Sequence, residues 1–480
     1  MSFLCLFLYA DRTVAEDRPN VLFIIVDDLR PDLGCYGVTE ASTPHIDQLA
    51  ETSLLFQRAY CQQAVCMASR FSLLTGLRPD ERKIYTNRDV RENLQDIDFL
   101  PGHFRKHNYH TAGIGKIAHN SWEDPRCWSE PHRMPPNAPW EYRTRAGREL
   151  VEQIRSRATE AGQPDPFKNI PEKIRRGMPW EILDLPDSET GDRQIADLTI
   201  EELARAGKSE QPFFIAAGFL RPHLPFVAPR SYWDRFDPAS LPSPSHKTFP
   251  QGAPPPANSG SGELLHQYRG LPPKLPLAPE SAKQLVHGYY ACVSFIDEQI
   301  GRILAGLEAN GLDQNTIVVL TSDHGFQLGD HGMWGKATNF ELSTRVPLLL
   351  RNPGMKSTGK VTTSIVELLD LYPTLCDLAA IPQPDHLQGK SFAPLLDDPE
   401  SDTGGTAMSQ YSRRGLTGYS IRTDKYRYTE WIDRESGTTE YRELYDHRQN
   451  SQETRNALND PDLSGELEKL ADTLQKKRSP

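Results

Sequence analysis

The chain has 480 residues, of which 37% are hydrophobic and 25% charged, so it is long enough for two or three domains and too apolar to be disordered. A net charge of −11 argues against a nucleic-acid binder or a protein that coats polyanions, although a single basic pocket could still hold a small anion. Seven scattered cysteines without CxxC or zinc spacing do not form a disulfide framework, and we expect most of them to be small buried hydrophobes.

The first predicted feature is an apolar stretch at residues 3–10, followed by a charged stretch at 11–18. It is too short to span a bilayer, and it is similar to the end of a secretory signal that lacks its basic start. We therefore interpret residues 1–18 as a signal remnant or a disordered start. On this basis we expect an exported protein, periplasmic or secreted, rather than a cytoplasmic one, and no other stretch predicts a membrane span.

Four short apolar runs predict buried strands, because runs rich in Val, Ile and Phe that end at turn residues are typical of a mostly parallel sheet. They are residues 21–26, 109–114, 213–220 and 316–321. Helical patterns at 46–53 and 286–307 lie between them, and this alternation predicts an α/β sandwich. Each run ends in polar residues, at the strand end where open α/β sheets bind their ligands.

Segments outside these runs have a different character. Residues 122–181 and 241–279 are rich in Pro and polar residues, and we interpret them as insertions that cover the surface or form the rim of a site. Residues 365–378 predict a helix kinked near Pro373, residues 404–448 predict antiparallel strands, and residues 463–477 predict a terminal helix. We therefore predict a main α/β domain over 19–380 and a smaller C-terminal α+β subdomain over 381–480 with a short antiparallel sheet.

Three carboxylates directly follow two of the predicted strands: Asp27 and Asp28 follow the first, and Asp323 follows the last. At one sheet edge they would repel one another unless a cation neutralised them, and hard oxygen ligands favour Ca²⁺ or Mg²⁺. Helix capping is the alternative role of a lone Asp. Because the Asp27-Asp28 pair and Asp323 each follow a buried strand, we favour metal binding over capping. His324 is a less natural ligand for a hard cation.

Cys66 lies near the start of a helix predicted at residues 68–75, where amide groups and the helix dipole favour an anion. Arg70 follows one turn later and can face the same spot. These residues alone leave two roles for Cys66, a thiolate nucleophile or a buried packing residue. We expect Lys116 and His223 to face the same edge, since each follows a predicted strand; a surface lysine and a rigid-turn histidine are the alternatives.

The segment from Cys66 to Gly76, Cys-x-Ala-Ser-Arg-x-x-x-Leu-Thr-Gly, resembles the signature of the type I sulfatases, although many members have Pro at the position of Ala68. Further matching motifs extend over nearly the whole chain: 20–28, 34–37, 43–47, 115–119, 322–325, 329–332 and 443–456. Within the family the likeness is to the iduronate-2-sulfatases, and it rests on residues 62–66, 221–226, 336–340, 370–375 and 418–422.

The resemblance implies an alkaline-phosphatase-like sandwich with a central mostly parallel sheet, and a catalytic domain over 19–380. It implies that a maturation enzyme oxidises Cys66 to formylglycine, whose aldehyde hydrate is the nucleophile. A divalent cation, usually Ca²⁺, would be held by residue 66 together with Asp27, Asp28, Asp323 and His324. Arg70, Lys116 and His119 would orient the hydrate, and the sulfate and leaving-group oxygens would be bound by His223 and Lys336.

The sequence therefore predicts a sulfuric ester hydrolase that acts on a sulfated carbohydrate, with an uronic acid or related residue at a chain end, as in glycosaminoglycan degradation. Two alternatives stay open. One is a phosphonate monoester hydrolase or phosphodiesterase of the same superfamily. The other is a sulfated-glycan binder without turnover, which would follow if Cys66 were not converted. We expect no nucleic-acid partner.

Overall fold

A computed structural model describes residues 18–87, 94, 96–119, 123–136, 144–244, 246–401 and 404–478. Residues 1–17 of the segment interpreted as a signal remnant, residues 122 and 137–143 of the 122–181 segment, and residue 245 of the 241–279 segment lie outside the described residues. Within the described ranges, no helix combines the length and the apolar character needed to cross a membrane.

The strands alternate with helices along the first three quarters of the chain. They are β1 (Asn20–Val26), β2 (Leu54–Tyr60), β3 (His110–Gly115), β4 (Trp180–Leu183), β5 (Phe213–Phe219), β6 (Phe226–Pro229), β7 (Thr316–Ser322), β8 (Gln327–Leu328), β9 (Trp334–Gly335), β10 (Arg345–Arg351), β11 (Val361–Glu367), β12 (Ala407–Arg413), β13 (Leu416–Arg422), β14 (Tyr426–Asp433) and β15 (Thr439–Asp446).

The helices are α1 (Pro44–Glu51), α2 (Cys66–Thr75), α3 (Pro79–Arg82), α4 (Leu100–Lys106), α5 (Arg145–Glu160), α6 (Glu172–Arg176), α7 (Gly191–Ala206), α8 (Arg230–Trp233), α9 (Gly262–Gln267), α10 (Pro279–Ala309), α11 (Glu341–Thr344), α12 (Leu371–Leu378) and α13 (Ser464–Arg478). Short turns of 3₁₀ helix connect several of these elements.

The central sheet has seven strands in the order β11-β2-β10-β7-β1-β5-β3. Only β10 runs antiparallel to its neighbours among these strands, so the prediction of a mostly parallel sheet is confirmed. The four predicted strands are β1, β3, β5 and β7, each within one residue of the expected bounds. Val26 at the end of β1 lies opposite Phe219 of β5 and Ser322 of β7, so these three strands end side by side.

Both faces of the central sheet are covered, which explains why its strands read as continuous apolar runs. On β1, Leu22 and Ile24 pack on the face covered by α1, α7 and α10, whereas Phe23 and Ile25 pack on the face covered by α2, α4 and α12. All four side chains are buried. Full burial of each such side chain contributes roughly 1.5–3 kcal/mol, so the two layers fix the position of the strand ends.

The C-terminal part forms the predicted antiparallel sheet, in the order β12-β13-β14-β15. Its inner face includes Ile421 and Leu444, which pack with Leu470 and Leu474 of α13. The antiparallel strands predicted over 404–448 and the terminal helix predicted over 463–477 are thus confirmed. The domain boundary between residues 380 and 381 stays a prediction.

One expectation about local structure is wrong. The helix predicted over 365–378 is strand β11 up to Glu367, because Ile365 and Val366 pair with β2, and the α-helix begins at Leu371. Pro373 lies in the first turn of α12, where backbone N–H groups have no partner within the helix. Its lack of an N–H therefore costs no hydrogen bond, and it does not kink the helix. The segment 122–181 also contains regular structure, including the 16-residue helix α5.

Candidate active site

The centre of the site is the sheet edge where β1 and β7 end. Asp27 and Asp28 follow β1, Asp323 follows β7, and all three side chains are fully buried. Asp28 has a φ of 63°, a left-handed conformation that is costly for a residue with a side chain. Two hydrogen bonds hold it there: its N–H donates to Asp323 Oδ1 at 3.2 Å, and the Tyr289 hydroxyl donates to its carbonyl oxygen at 2.9 Å.

Cys66 is the first residue of α2, and every side chain of that helix is buried. The Cys66 Sγ lies 3.2 Å from the His324 Nε2. Burial, together with the neighbouring Asp27, raises the pKa of the Cys66 thiol well above its ordinary value. An unmodified cysteine here is a neutral thiol and therefore a weak nucleophile. The other described cysteines are also free, and all but the half-buried Cys35 are buried, as expected.

Arg70, one helical turn after Cys66, joins three parts of the site. Its Nε donates to Asp323 Oδ2 at 2.9 Å and its Nη2 donates to Asp27 Oδ1 at 3.2 Å. Its Nη1 donates to the carbonyl oxygens of Lys116 and Ile117. The guanidinium is 1% exposed, and although burial opposes its charge, Asp323 and Asp27 raise its pKa. Arg70 is therefore a permanent buried cation at this edge.

Lys116 and His119 follow β3 and complete the other side of the centre. Lys116 Nζ forms a buried ion pair with Asp27, and its backbone N–H donates to the Gly218 carbonyl oxygen at 2.8 Å. Burial, followed by the charge of Lys116, lowers the pKa of His119 to about 2. His119 is therefore a neutral imidazole at neutral pH.

Lys336 follows the short strand β9 and pairs with the second aspartate. Its Nζ lies 2.9 Å and 3.0 Å from the two carboxylate oxygens of Asp28, and 3.2 Å from Glu263 Oε2. Burial raises the pKa of Asp28 well above its ordinary value; Lys336 opposes this shift, while Asp27, Glu263 and Asp323 add to it. The Asp28 carboxylate therefore has less positive charge around it than it needs for full ionisation.

His223 follows β5 and lies between the cis peptide bonds Arg221-Pro222 and Leu224-Pro225. It is 6% exposed, its Nδ1 lies 2.7 Å from the Leu224 carbonyl oxygen, and its Nε2 lies 3.4 Å from Glu263 Oε1. Burial and then Lys336 lower the pKa of His223 to about 3, and the carboxylates of Glu263 and Asp27 oppose the shift. All the residues predicted for the site thus lie at one sheet edge.

Comparisons with known proteins decide the family. The family model described as Sulfatase matches residues 19–381, and the model described as N-sulphoglucosamine sulphohydrolase, C-terminal, matches residues 329–480. The chain belongs to the sulfatase family. It is 32% identical to the iduronate 2-sulfatase of Homo sapiens, over 87% of this chain and 85% of that protein. It is 31% identical to a sulfatase of Formosa agariphila, over 96% and 87% of the two chains. Family membership makes the chain a sulfuric ester hydrolase.

Solved structures of similar fold cover nearly the whole sulfatase chain. The phosphonate monoester hydrolase of Agrobacterium radiobacter superposes with a TM-score of 0.74 at 25% identity, over 96% of each chain. A protein in complex with its substrate D-glucosamine-2-N,6-O-disulfate superposes with a TM-score of 0.76 at 20% identity, over 96% of this chain and 97% of that one. The predicted alkaline-phosphatase-like sandwich with a C-terminal antiparallel sheet is confirmed.

This sulfatase has acidic and histidine groups that could bind a divalent metal ion. Ligand atoms from Asp27, Cys66, Asp323 and His324 lie within 4.8 Å of one another. With every group in its charged form, the centre has four carboxylates and three side-chain cations, and so one net negative charge. The carboxylates are Asp27, Asp28, Asp323 and Glu263, and the cations are Arg70, Lys116 and Lys336. A divalent cation would make the centre net positive, as binding of a sulfate anion requires.

The sequence interpretation missed Glu263, which contacts both His223 and Lys336. Glu263 lies in the Pro- and Gly-rich segment 241–279, where no strand or motif marks a site, so no sequence signal was available. By contrast, Asp330 and His331 bind groups outside this centre. Asp330 pairs with Arg30 at 2.9 Å, and the His331 Nε2 lies 2.6 Å from the Gln452 carbonyl oxygen.

Proposed function

We propose that this sulfatase hydrolyses a sulfate ester of a carbohydrate, and that its nucleophile is a formylglycine made from Cys66. The observation that carries the proposal is the position of Cys66, at the start of a buried helix and 3.2 Å from His324, at an edge lined by aspartates and cations. This arrangement suits a small anion that reacts at residue 66, because the helix start and the cations favour negative charge.

The state of residue 66 follows from its surroundings. The neutral, buried thiol of Cys66 is poorly suited to attack a sulfate ester, which supports conversion to another nucleophile. Formylglycine at this position supplies a hydrated aldehyde, in which one hydroxyl attacks sulfur and the other permits release of the product. We propose that a formylglycine-generating maturation enzyme makes this conversion, and that it accepts the sequence with Ala68.

The cation ligands that we propose are Asp27, Asp28, Asp323 and His324, together with residue 66. Ca²⁺, or Mg²⁺ in its place, supplies Lewis-acid polarisation of the sulfate ester oxygens when bound. Arg70 binds both Asp27 and Asp323 and so keeps the two carboxylates at the edge. Lys116 restrains the other oxygen of Asp27 in the same way.

The remaining side chains divide the proton chemistry between them. His119 is neutral, so it can take the proton that the nucleophilic group loses when the product is released. We propose that His223 and Lys336 face the leaving oxygen, where donors stabilise the negative charge that develops as the S–O bond breaks. His223, once the bound ester has favoured its protonated form, gives a proton to that oxygen. His119 therefore acts on the nucleophilic group, whereas His223 and Lys336 act on the leaving oxygen.

We propose a sulfated uronic acid or a related glycan residue at a chain end as the substrate. The support is the 32% identity to iduronate 2-sulfatases, together with motifs shared along the chain. The net charge of −11 disfavours binding along a long polyanion and favours a pocket that takes a chain end. We also propose that the protein is exported, periplasmic or secreted; a protein found only in the cytoplasmic fraction of its host would contradict this.

A second candidate function is hydrolysis of a phosphonate monoester or a phosphodiester, favoured by the structural similarity to the Agrobacterium enzyme. Both of these substrates carry one negative charge at the reacting centre, as a sulfate monoester does. A third possibility is binding of sulfated glycans without turnover, if Cys66 stays a thiol.

One set of assays separates the three functions. Para-nitrophenyl sulfate and bis(para-nitrophenyl) phosphate are offered to the wild type and to Cys66→Ala, and the mass of the tryptic peptide at residues 59–70 is measured. We expect faster turnover of the sulfate, loss of turnover in the variant, and a peptide lighter than the cysteine form. Faster turnover of the phosphodiester favours the second function. A peptide that holds only the thiol in protein from its native host, without turnover, favours the third.

A further inference from the structure

Glu263 lies at the centre of the site but belongs to none of the sequence motifs shared with the sulfatase family. It lies on α9, where its neighbours Leu264 and Leu265 are buried in the core. The Ser261 Oγ accepts a hydrogen bond from the Trp334 N–H at 2.8 Å, which ties the start of α9 to β9, just before Lys336. Glu263 is therefore held on the same rigid support as Lys336, and its side chain is only 22% exposed.

The two contacts of Glu263 are with the two side chains proposed for the leaving-group side. One carboxylate oxygen, Oε1, lies 3.4 Å from the His223 Nε2, and the other, Oε2, lies 3.2 Å from the Lys336 Nζ. Burial raises the pKa of Glu263, but Lys336 and then His223 lower it to about 2. A carboxylate that lies between two side chains in this way restrains the distance between them.

We propose that Glu263 is a positioning residue for the leaving group, and that it holds His223 and Lys336 together so that both face the leaving oxygen. The proposal rests on the function proposed above, because it assigns Glu263 a part in the same reaction. Glu263 itself does not touch the reacting atoms in this account; it acts through the two side chains that it binds.

The geometry around His223 explains why this position matters. The Leu224 carbonyl oxygen is an acceptor 2.7 Å from Nδ1, so that nitrogen carries a hydrogen and is already engaged. Only Nε2 can then give a proton to the leaving oxygen. Because the neutral ring carries its hydrogen on Nδ1, Nε2 must first take up a proton from solvent when the negatively charged ester binds. When the S–O bond breaks, its electron pair goes to the leaving oxygen, which takes that proton from His223 Nε2. Glu263 faces this same nitrogen, and a carboxylate there favours the form that carries the proton.

The geometry around Lys336 gives a second reason. Lys336 has two carboxylate partners, Asp28 and Glu263, and Asp28 belongs to the proposed cation site. A lysine held by Asp28 alone would lose its anchor whenever that carboxylate turned to a cation. Glu263 gives the ammonium group an anchor outside the cation site, so Lys336 stays near the leaving oxygen in the working enzyme.

The proposal predicts a dependence on the leaving group that a purely structural role would not produce. Weakly acidic alcohols need a proton as they depart, whereas para-nitrophenol departs readily as an anion. In Glu263→Gln, which keeps the size of the side chain and removes its charge, we expect kcat for phenyl sulfate to fall about 10- to 100-fold, the range typical of partners that orient catalytic groups. We expect kcat for para-nitrophenyl sulfate to change little.

The test measures kcat and KM for para-nitrophenyl, phenyl and para-methoxyphenyl sulfate. The proteins are the wild type, Glu263→Gln, His223→Ala, Cys66→Ala and the control Glu468→Gln, which changes an exposed glutamate of α13. We expect the losses in Glu263→Gln and His223→Ala to grow along this series, and the control to match the wild type. Thermal unfolding of each variant shows whether it is folded.

A loss in Glu263→Gln that is the same for all three esters, or no loss at all, would overturn the proposal. If His223→Ala shows the dependence and Glu263→Gln does not, the positioning role is wrong and the proposed function stands. If Cys66→Ala hydrolyses the esters as fast as the wild type, the proposed function itself fails. The three outcomes are therefore distinct.

Discussion

The C-terminal sheet is fastened to the main sheet by a buried ion network, and Arg427 on β14 is its centre. Arg427 is 1% exposed; its Nε lies 2.6 Å from Glu453 Oε1, and its Nη2 lies 2.6 Å from Glu341 Oε2 on α11. Replacing it by Met in Arg427→Met keeps much of the volume but leaves both carboxylates without their shared cation. We expect the sheet to be loosened from the main domain.

Two quantities give the loss of unfolding free energy expected for Arg427→Met. The Glu453 carboxyl has its pKa lowered from 4.5 to about 2, because Arg427 and His447 outweigh the effect of burial. That shift corresponds to about 3 kcal/mol of stabilisation, since each pKa unit is worth about 1.4 kcal/mol. Removing one member of a buried pair typically costs about 3–5 kcal/mol, in agreement. Because the pKa is lower in the folded state, the stabilisation is present above pH 4.5 and is lost as the pH falls towards 2.

Urea unfolding at neutral and at acid pH provides the assay, with Arg442→Met as the matched control, because Arg442 pairs with Glu430 at the surface and is 53% exposed. We expect Arg427→Met to lower the free energy of unfolding by about 3 kcal/mol at neutral pH and by much less at about pH 3, and the control to change it by less than about 1 kcal/mol. An equal loss at both pH values, or a loss no larger than that of the control, would refute the reasoning.

Three further changes test the site. Arg70→Met should abolish turnover and lower the free energy of unfolding by about 3–5 kcal/mol, because it leaves buried carboxylates unpaired; a folded, fully active variant would contradict this. Chelation of the cation should lower both the melting temperature and the activity. Adding Ca²⁺ at about 100 times its Kd should raise the free energy of unfolding again by about 2.7 kcal/mol. Identical melting curves with and without chelator would count against the cation site. Gly115 has a φ of 77°, and in Gly115→Ala the new Cβ would clash with the Gly218 carbonyl oxygen. We therefore expect a lower kcat/KM for sulfate ester hydrolysis. Unchanged kinetics would show that the turn before Lys116 tolerates a side chain.

The features that the sequence predicted well are those in which one local pattern determines the structure. The buried strands β1, β3, β5 and β7 are marked by continuous apolar runs, and a parallel sheet brings their ends together. The helix predicted over 365–378 failed because pairing with β2 outweighs the helical pattern at Ile365. Glu263 could not be found because its role depends on tertiary contacts across 40 residues to His223 and 73 residues to Lys336. The roles of the individual site residues and the boundaries at 18/19 and 380/381 stay predictions.

We propose that turnover depends on the conversion of Cys66. This can be tested with preparations that contain different fractions of formylglycine at residue 66, obtained with and without a co-expressed maturation enzyme, by measuring their hydrolysis of para-nitrophenyl sulfate. We expect specific activity to rise in proportion to the fraction converted and to be zero when extrapolated to pure cysteine. Activity that is independent of this fraction would show that turnover does not need the conversion.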